Sequence, residues 1–203
     1  EKLRAAMYRR DDNRNQLILG RALIHHLVRP RGPVNRYPIK IAPLGKPYIE
    51  GRPAFSISHS GGYVACVVAK NDLIGIDVEH FDAVDNWEEL SQMILHPEER
   101  LAILEEVAGN RRSLFRRCWT RKEAVLKATG VGLIDDLCSI NVQLTERRPL
   151  LEYPAPVRVV DVFQCVLEVA VAIAVDVRVK GIVICYANVP SAGVIASGSR
   201  FFS

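Results

Sequence analysis

Apolar residues recur at helical spacing near the start of the chain. Over residues 13–28 they fall mainly three or four positions apart, which is the repeat of one helix face. The positions are Leu17, Leu19, Ala22, Leu23, Ile24 and Leu27. The pattern predicts an amphipathic helix, which the segment Pro30-Arg-Gly-Pro33 then ends.

The next apolar stretches have the pattern of strands. Residues 55–60 alternate apolar and small polar side chains and are followed by a pair of glycines. Residues 63–69 are apolar throughout, as in a buried strand, and residues 73–79 follow after an Asn-Asp turn. We therefore expect the segment 63–79 to form a hairpin.

The middle of the chain is predicted to be helical. Residues 86–108 indicate a helix in two pieces that is broken near His96-Pro97, because proline suits a first helical turn. A longer helix is expected over 112–128, with Gly130 as its C-terminal cap. Further strands are predicted over 138–144, 157–163, 165–176 and 180–187.

The order of helix, strands, helices and strands predicts an α+β fold with mainly antiparallel sheets and packed helices. Two hairpin-plus-helix units in series would meet at a seam near Gly75. We expect an N-terminal half over 1–75, a C-terminal half over 76–190 and a flexible tail over 191–203, where glycine and serine are frequent.

Composition limits the class of protein. The chain has 203 residues, of which 49% are hydrophobic and 25% charged, as in ordinary globular domains. The five cysteines form no C-x-x-C pair, which favours buried thiols in a reducing cytoplasm over a zinc site. The most apolar segment, seven residues over 169–175, is too short to span a membrane. The charged N-terminus lacks the apolar core of a signal peptide.

Basic residues are unevenly distributed. Residues 1–36 carry nine Lys or Arg against three acids, although the net charge of the chain is only +4. A second basic run, residues 111–122, contains Arg111, Arg112, Arg116, Arg117, Arg121 and Lys122. Such clusters attract polyanions, and the simpler alternative for any single arginine is a solvated helix face.

Asp77 and Glu79 are the first candidates for chemistry. Residues two apart on a strand point to the same face, so these carboxylates should lie side by side while Ile76 and Val78 face the core. Adjacent carboxylates repel one another unless a cation lies between them, and hard oxygen ligands suit Mg²⁺ or Mn²⁺. The alternative is an acidic, solvated end of a strand.

Three more short segments contain chemically useful side chains. Glu123 and Lys127 are four residues apart and share a helix face, either as part of a site or as a surface ion pair. Ser58 and His59 end a strand before two glycines, which would suit a phosphate or simply a capped turn, the interpretation we prefer for the neighbouring Ser60. Lys46 precedes a proline on a stiff turn, where it would meet a phosphate or remain exposed.

Taken together, these segments resemble those of the 4'-phosphopantetheinyl transferases in their amino-acid sequence and in their order along the chain. The resemblance is in particular to the surfactin-type branch, which joins two pseudo-symmetric halves in one chain. The matching segments are Gly45-Lys-Pro-Tyr48, Phe55-Ser-Ile-Ser-His-Ser60, Ile74-Gly-Ile-Asp-Val-Glu79, Trp119-Thr-Arg-Lys-Glu-Ala-Val-Leu-Lys127 and Gly130-Val-Gly-Leu133. The likeness is strong over about residues 1–145 and is one of general character beyond them.

The resemblance implies an enzyme that moves the phosphopantetheine arm of coenzyme A onto a serine of an apo acyl or peptidyl carrier protein. The reaction releases 3',5'-ADP and uses Mg²⁺, or Mn²⁺ in its place. The N-terminal half would contact the coenzyme A nucleotide, and the C-terminal half would hold the metal and the catalytic helix.

Site residues are carried over by position. Asp77, Glu79 and Glu123 would ligate the metal, Glu123 would also deprotonate the serine directly or through water, and Lys127 would contact the diphosphate. The residues implied to contact coenzyme A are Lys2, Arg14, Lys46, Pro47, Ser58, His59, Asp77 and Lys127. The chain begins inside the family's basic N-terminal region, so any residues upstream of Glu1 that help to bind coenzyme A lie outside this sequence.

Two other functions are weighed against the transferase. One is an inactive module that binds coenzyme A and a carrier protein, which the presence of every implied catalytic residue disfavours. The other is a metal-dependent nucleotide hydrolase, a function that would not explain the particular amino-acid sequence of residues 119–127. We expect a cytoplasmic monomer that binds neither nucleic acid nor membrane. The arginines at 111–117 and the apolar residues Met93 and Leu114 are candidates for docking the carrier.

Overall fold

The computed structural model of the protein describes residues 11–28, 37–70, 73–81, 86–132, 136–152, 155–162, 169–179, 182–188 and 196–202. The helices are α1 (Asp11–Leu27), α2 (Trp87–Ile94), α3 (Pro97–Glu105) and α4 (Ala108–Thr129), and Leu137–Ser139 is a short 3₁₀ helix. The strands are β1 (Lys40–Ile41), β2 (Pro47–Tyr48), β3 (Ala54–Ser60), β4 (Tyr63–Ala69), β5 (Ile74–His80), β6 (Leu150–Leu151), β7 (Val157–Asp161), β8 (Val169–Asp176), β9 (Ile182–Asn188) and β10 (Ala196–Phe202).

Antiparallel pairing builds two four-stranded sheets, which we call sheet one and sheet two. Sheet one has the order β10-β9-β4-β3, sheet two has the order β5-β8-β7-β6, and β1 and β2 form a small separate hairpin. The predicted α+β class with antiparallel sheets and packed helices is confirmed. Sheet one combines strands from both sides of the boundary predicted at residue 75, and the predicted division into halves stays a prediction. The segment expected to be a loose tail contains β10, which pairs with β9.

Two secondary-structure predictions are wrong. Strands β4 and β5 form no hairpin, because β4 pairs with β3 and β9 while β5 pairs with β8 in the other sheet. The hairpin instead joins β3 to β4 through Gly61 and Gly62, whose φ angles of 56° and 84° fit the tight turn that favours glycine.

The other wrong prediction is the strand expected over residues 138–144, which do not form a strand. Buried charged side chains take the backbone groups that a strand would offer to a neighbour. Lys122 donates to the carbonyls of Leu137 and Ile140, and Arg121 donates to those of Val142 and Gln143. The path of this segment is therefore set by charges buried beneath it.

The elements stack in layers, with apolar side chains between them. Helix α1 packs on sheet one through a cluster that includes Ile24 and Phe55, and a second cluster fills the space between the two sheets. The largest cluster lies between sheet two and helices α2, α3 and α4. Within the described helices, none is long and apolar enough to cross a membrane.

Gly75 allows helix α4 to lie directly on β5. A Cβ atom added at Gly75 would lie 2.0 Å from the carbonyl oxygen of Ala124 and 2.4 Å from the amide nitrogen of Ala128. No side chain fits in that space. Because Asp77 and Glu79 share the face of β5 on which Gly75 lies, this contact sets them beside α4.

Candidate active site

A row of serines joins the edge strands of the two sheets. Ser56, Ser58 and Ser60 alternate along β3, and each hydroxyl oxygen accepts a hydrogen bond from a backbone N–H of β5, twenty residues further along the chain. The donors are Ile76, Val78 and His80, at nitrogen-to-oxygen distances of 3.1, 3.2 and 3.0 Å. The hydroxyls stand where a neighbouring strand would present carbonyls, and this brings β3 alongside the acidic residues of β5.

Asp77 lies at the centre of this seam. It is only 3% exposed, and its Oδ1 atom accepts hydrogen bonds from the hydroxyl of Ser58 at 2.8 Å and from the ammonium of Lys127 at 2.6 Å. Lys127 also donates to the Ser58 hydroxyl, at 3.0 Å. Oδ2 is buried and has no hydrogen-bond partner among the described residues. An unpaired buried carboxylate oxygen is costly, which makes it a natural ligand for a further cation.

Glu79 is held through both of its carboxylate oxygens. Oε2 accepts from the hydroxyl of Ser60 at 3.0 Å, and Oε1 accepts from the indole Nε1 of Trp119 at 3.1 Å. Burial raises the pKa of Glu79, and the neighbouring charge of Asp77 raises it further. The two neutral donors orient this carboxylate without neutralising it.

Glu123 approaches from α4, one turn before Lys127. Its pKa is raised by burial first and then by the charge of Asp77, with Lys127 acting in the opposite direction and Glu79 adding to the increase. The three carboxylates therefore lie close enough to repel one another electrostatically. Repulsion of this kind favours a cation among them.

These residues fit a divalent cation as an incomplete donor set. Among the described residues, no three His, Cys, Asp or Glu side chains converge as in a preformed metal centre. Mg²⁺, however, is commonly held by one or two carboxylates and completed by water and substrate phosphates. The unpaired Oδ2 of Asp77 and the hard oxygens of Glu79 and Glu123 match that mode of binding.

A cleft of about 290 Å³ opens beside Lys127. The predicted site residues among those that line it are Lys46, Pro47, Glu123 and Lys127. Lys46 reaches the C-terminal end of α4, where its ammonium donates to the carbonyl of Ala128 at 2.6 Å. The turn between β1 and β2 is thus fastened to the helix that carries the catalytic candidates. Glu123 and Lys127 belong both to the lining of the cleft and to the charged residues around Asp77.

His59 and Arg14 are not among the residues that line the cleft. His59 follows Ser58 on β3, so their side chains point to opposite faces of the strand. Partial desolvation lowers the pKa of His59, and the charge of Lys127 lowers it further. Arg14 is exposed on α1, and Lys2 lies outside the described residues. The structure therefore joins Ser58, Asp77 and Lys127 by direct hydrogen bonds, and Glu79 and Glu123 lie near enough for their charges to interact with that of Asp77.

Sequence reasoning missed the function of Trp119 and Ser60. From the sequence alone, Trp119 has no assigned role and a capped turn is favoured for Ser60, yet both side chains donate to Glu79. The alternation of Ser56, Ser58 and Ser60 was visible in the sequence. Its alignment with β5 was not, because the register between segments twenty residues apart depends on tertiary packing.

The basic run on α4 is partly a structural device. Arg121 is fully buried and pairs with Asp161 through two hydrogen bonds of 2.9 and 2.7 Å, and Lys122 pairs with Glu99 at 2.8 Å. These two residues are buried, so they belong neither to a polyanion-binding surface nor to a solvated helix face. Arg111 donates to backbone carbonyls at the end of α3. Much of the run thus fixes α4 against its neighbours.

Comparison with known proteins agrees with this arrangement of elements and residues. The sequence profile of the 4'-phosphopantetheinyl transferase superfamily matches residues 73–173, about half of the chain. The segment includes Asp77, Glu79, Glu123 and Lys127. The chain belongs to this superfamily.

Individual relatives carry the same family name. The chain is 35% identical over 133 residues to the 4'-phosphopantetheinyl transferase HetI of Nostoc sp. (strain PCC 7120), a match that covers 64% of this chain and 56% of HetI. It is 30% identical over 134 residues to the 4'-phosphopantetheinyl transferase psf-1 of Bacillus pumilus, with the same two coverages. It is 32% identical over 89 residues to the 4'-phosphopantetheinyl transferase gsp of Aneurinibacillus migulanus, which covers 44% of this chain and 36% of gsp. The chain thus spans little more than half the length of HetI and psf-1 and about a third of that of gsp. These relatives are consistent with the surfactin-type branch.

Proposed function

We propose that this protein transfers the 4'-phosphopantetheine arm of coenzyme A to a serine hydroxyl of an apo acyl or peptidyl carrier protein. The observation that carries the proposal is the position of Lys127, which reaches from α4 to Asp77 on β5 and Ser58 on β3. Three segments far apart in the chain thus present an ammonium, hydroxyls and carboxylates beside a cleft. This set of groups suits a diphosphate better than a neutral substrate.

The proposed reaction exchanges one phosphorus–oxygen bond for another. The serine oxygen attacks the phosphorus that carries the pantetheine arm, the bond from that phosphorus to the bridging oxygen breaks, and 3',5'-ADP leaves. The serine proton passes to Glu123, directly or through a water molecule. Glu123 suits this task because its pKa is raised, which makes its ionised carboxylate a stronger base.

Lys127 and the carboxylates would divide the electrostatic work. Lys127 is an exposed enough cation, with 31% of its side chain accessible, to bind the diphosphate oxygens on which charge develops. Mg²⁺, or Mn²⁺ in its place, would be held by Asp77, Glu79 and Glu123 and would neutralise the charge of the diphosphate. Ser60 and Trp119 would keep Glu79 in a fixed orientation.

Coenzyme A would extend from the carboxylates along the cleft. Lys46 and Pro47 line it and are proposed to meet the nucleotide. Ser58 holds Asp77 and Lys127 in position, and His59 is proposed to contact a phosphate on the outer side of β3. Contacts of Arg14 and Lys2 with the 3'-phosphate remain part of the proposal. So do a monomeric state and a location in the cytoplasm.

One assay separates this function from the alternatives. The protein is incubated with coenzyme A, Mg²⁺ and each of several apo carrier proteins, and the carriers are analysed by intact mass spectrometry. The expected result is a mass gain equal to the phosphopantetheine arm on at least one carrier. No gain on any carrier, while coenzyme A still binds, would indicate a binding module. Release of phosphopantetheine to water without a carrier would indicate a hydrolase.

A further inference from the structure

The ammonium of Lys127 lies where a cation would neutralise Asp77. It donates to Oδ1 of Asp77 at 2.6 Å and to the hydroxyl of Ser58 at 3.0 Å. Asp77 has only 4% of its side chain exposed, whereas Lys127 has 31% exposed and so retains a path to solvent. A buried carboxylate without a positive partner is strongly unfavourable, and in this structure Lys127 is that partner.

We propose that Lys127 is an internal counter-cation that competes with the divalent metal ion for Asp77 and is drawn away when a diphosphate binds. Metal and coenzyme A would then bind cooperatively, and the metal alone would bind weakly. The inference rests on the proposed function, since it assumes that metal and diphosphate meet at this site. It adds a coupling between the binding of the two ligands, which the assignment of ligands does not contain.

Electrostatics favours competition at Asp77. A divalent ion on the unpaired Oδ2 would lie within a few ångströms of the ammonium on Oδ1, at a place where burial reduces the screening of like charges. Either the metal binds against this repulsion or Lys127 moves away. Without a bound phosphate to receive it, moving away exposes Lys127 to water and leaves Oδ1 with Ser58 as its only donor among these contacts.

The cleft is the place where a diphosphate, as a second anion beside Asp77, would bind. Lys127 lines it together with Lys46 and Glu123, so a diphosphate bound there would offer oxygens to the same ammonium. The long stem of lysine has several rotatable bonds, which allow its head to move while α4 stays in place. A phosphate that takes Lys127 would free Oδ1 for the metal. Each ligand would then strengthen the binding of the other by the same factor.

The test measures Mn²⁺ binding without coenzyme A, by isothermal titration calorimetry on the full chain. Lys127→Gln keeps a hydrogen-bond donor but removes the charge, and Lys127→Met keeps the apolar stem. Both variants are expected to bind Mn²⁺ at least about fivefold more tightly than the parent, within the usual range of coupling between sites. Lys127→Arg keeps the charge and should not tighten binding. Lys70→Met, a matched change of net charge at an exposed residue after β4, should leave it unchanged.

A second titration adds saturating coenzyme A. In the parent, coenzyme A should tighten Mn²⁺ binding at least about fivefold, and this increase should be smaller in Lys127→Gln. Equal or weaker Mn²⁺ binding by both folded neutral variants would overturn the inference. So would a parent whose Mn²⁺ affinity is unchanged by coenzyme A, a result that requires no variant to fold. If these results appear while the parent still modifies a carrier, the inference alone fails. If no carrier is modified, the proposed function fails.

Discussion

Replacing Gly75 with alanine should damage fold and activity together, because one close contact controls both. The added Cβ would lie 2.0 Å from the carbonyl oxygen of Ala124 on α4. To restore a tolerable separation, α4 would have to retreat from β5 by about 1 Å, a strain of the kind that costs about 1–3 kcal/mol or more in a packed core. The retreat would also carry Glu123 and Lys127 away from Asp77, where Lys127 now lies within 2.6 Å.

A displacement of this size is expected to lower the transfer rate by about a hundredfold, since reacting groups tolerate little misplacement. Urea denaturation gives the free energy of unfolding, and the carrier mass assay gives the rate of the folded variant. Gly109→Ala is the matched control, because Gly109 lies in α4 with nothing within 4 Å of an added Cβ. That control should keep activity and match or exceed the parent in stability by up to about 1 kcal/mol. A Gly75→Ala protein with parental stability and rate would refute the reasoning.

Other substitutions test the remaining contacts. Glu123→Gln should lower the transfer rate at least about a hundredfold by removing the base, and a rate near that of the parent in the carrier assay would exclude this role. In EDTA the same variant should be more stable than the parent, and its advantage should grow with pH. Burial raises the pKa of Glu123, so the stability that the parent has with this group protonated is lost as pH rises through that pKa. Urea midpoints of the parent and the variant, measured from acid to neutral pH, test this. A stability difference between the two proteins that does not change with pH would contradict it. Arg121→Met should lower the free energy of unfolding by about 3 kcal/mol or more, because Asp161 loses a buried partner; a change under about 1 kcal/mol in urea would show that Arg117 compensates.

Local sequence signals were sufficient to predict several elements of the fold. The helical period predicted α1, and a proline at a first turn marked the break between α2 and α3, where the side chains of His96 and Glu99 form a capping box. Gly130 ends α4 in the left-handed conformation, as its position predicted. The strand period placed Asp77 and Glu79 on one face of β5. These features depend on neighbours within a few residues, which a sequence pattern contains.

Which segments contact one another depends on long-range packing. The pairing of β5 with β8 instead of β4, the alignment of the β3 serines with β5 and the burial of Arg121 all depend on contacts between residues far apart in the chain. A glycine in a strand could mark a bulge, a turn or a close contact, and only the position of α4 shows that Gly75 serves the last of these. Long-range packing chooses among partners that local patterns leave equally acceptable. The same packing turned separate carboxylates and a lysine into one site.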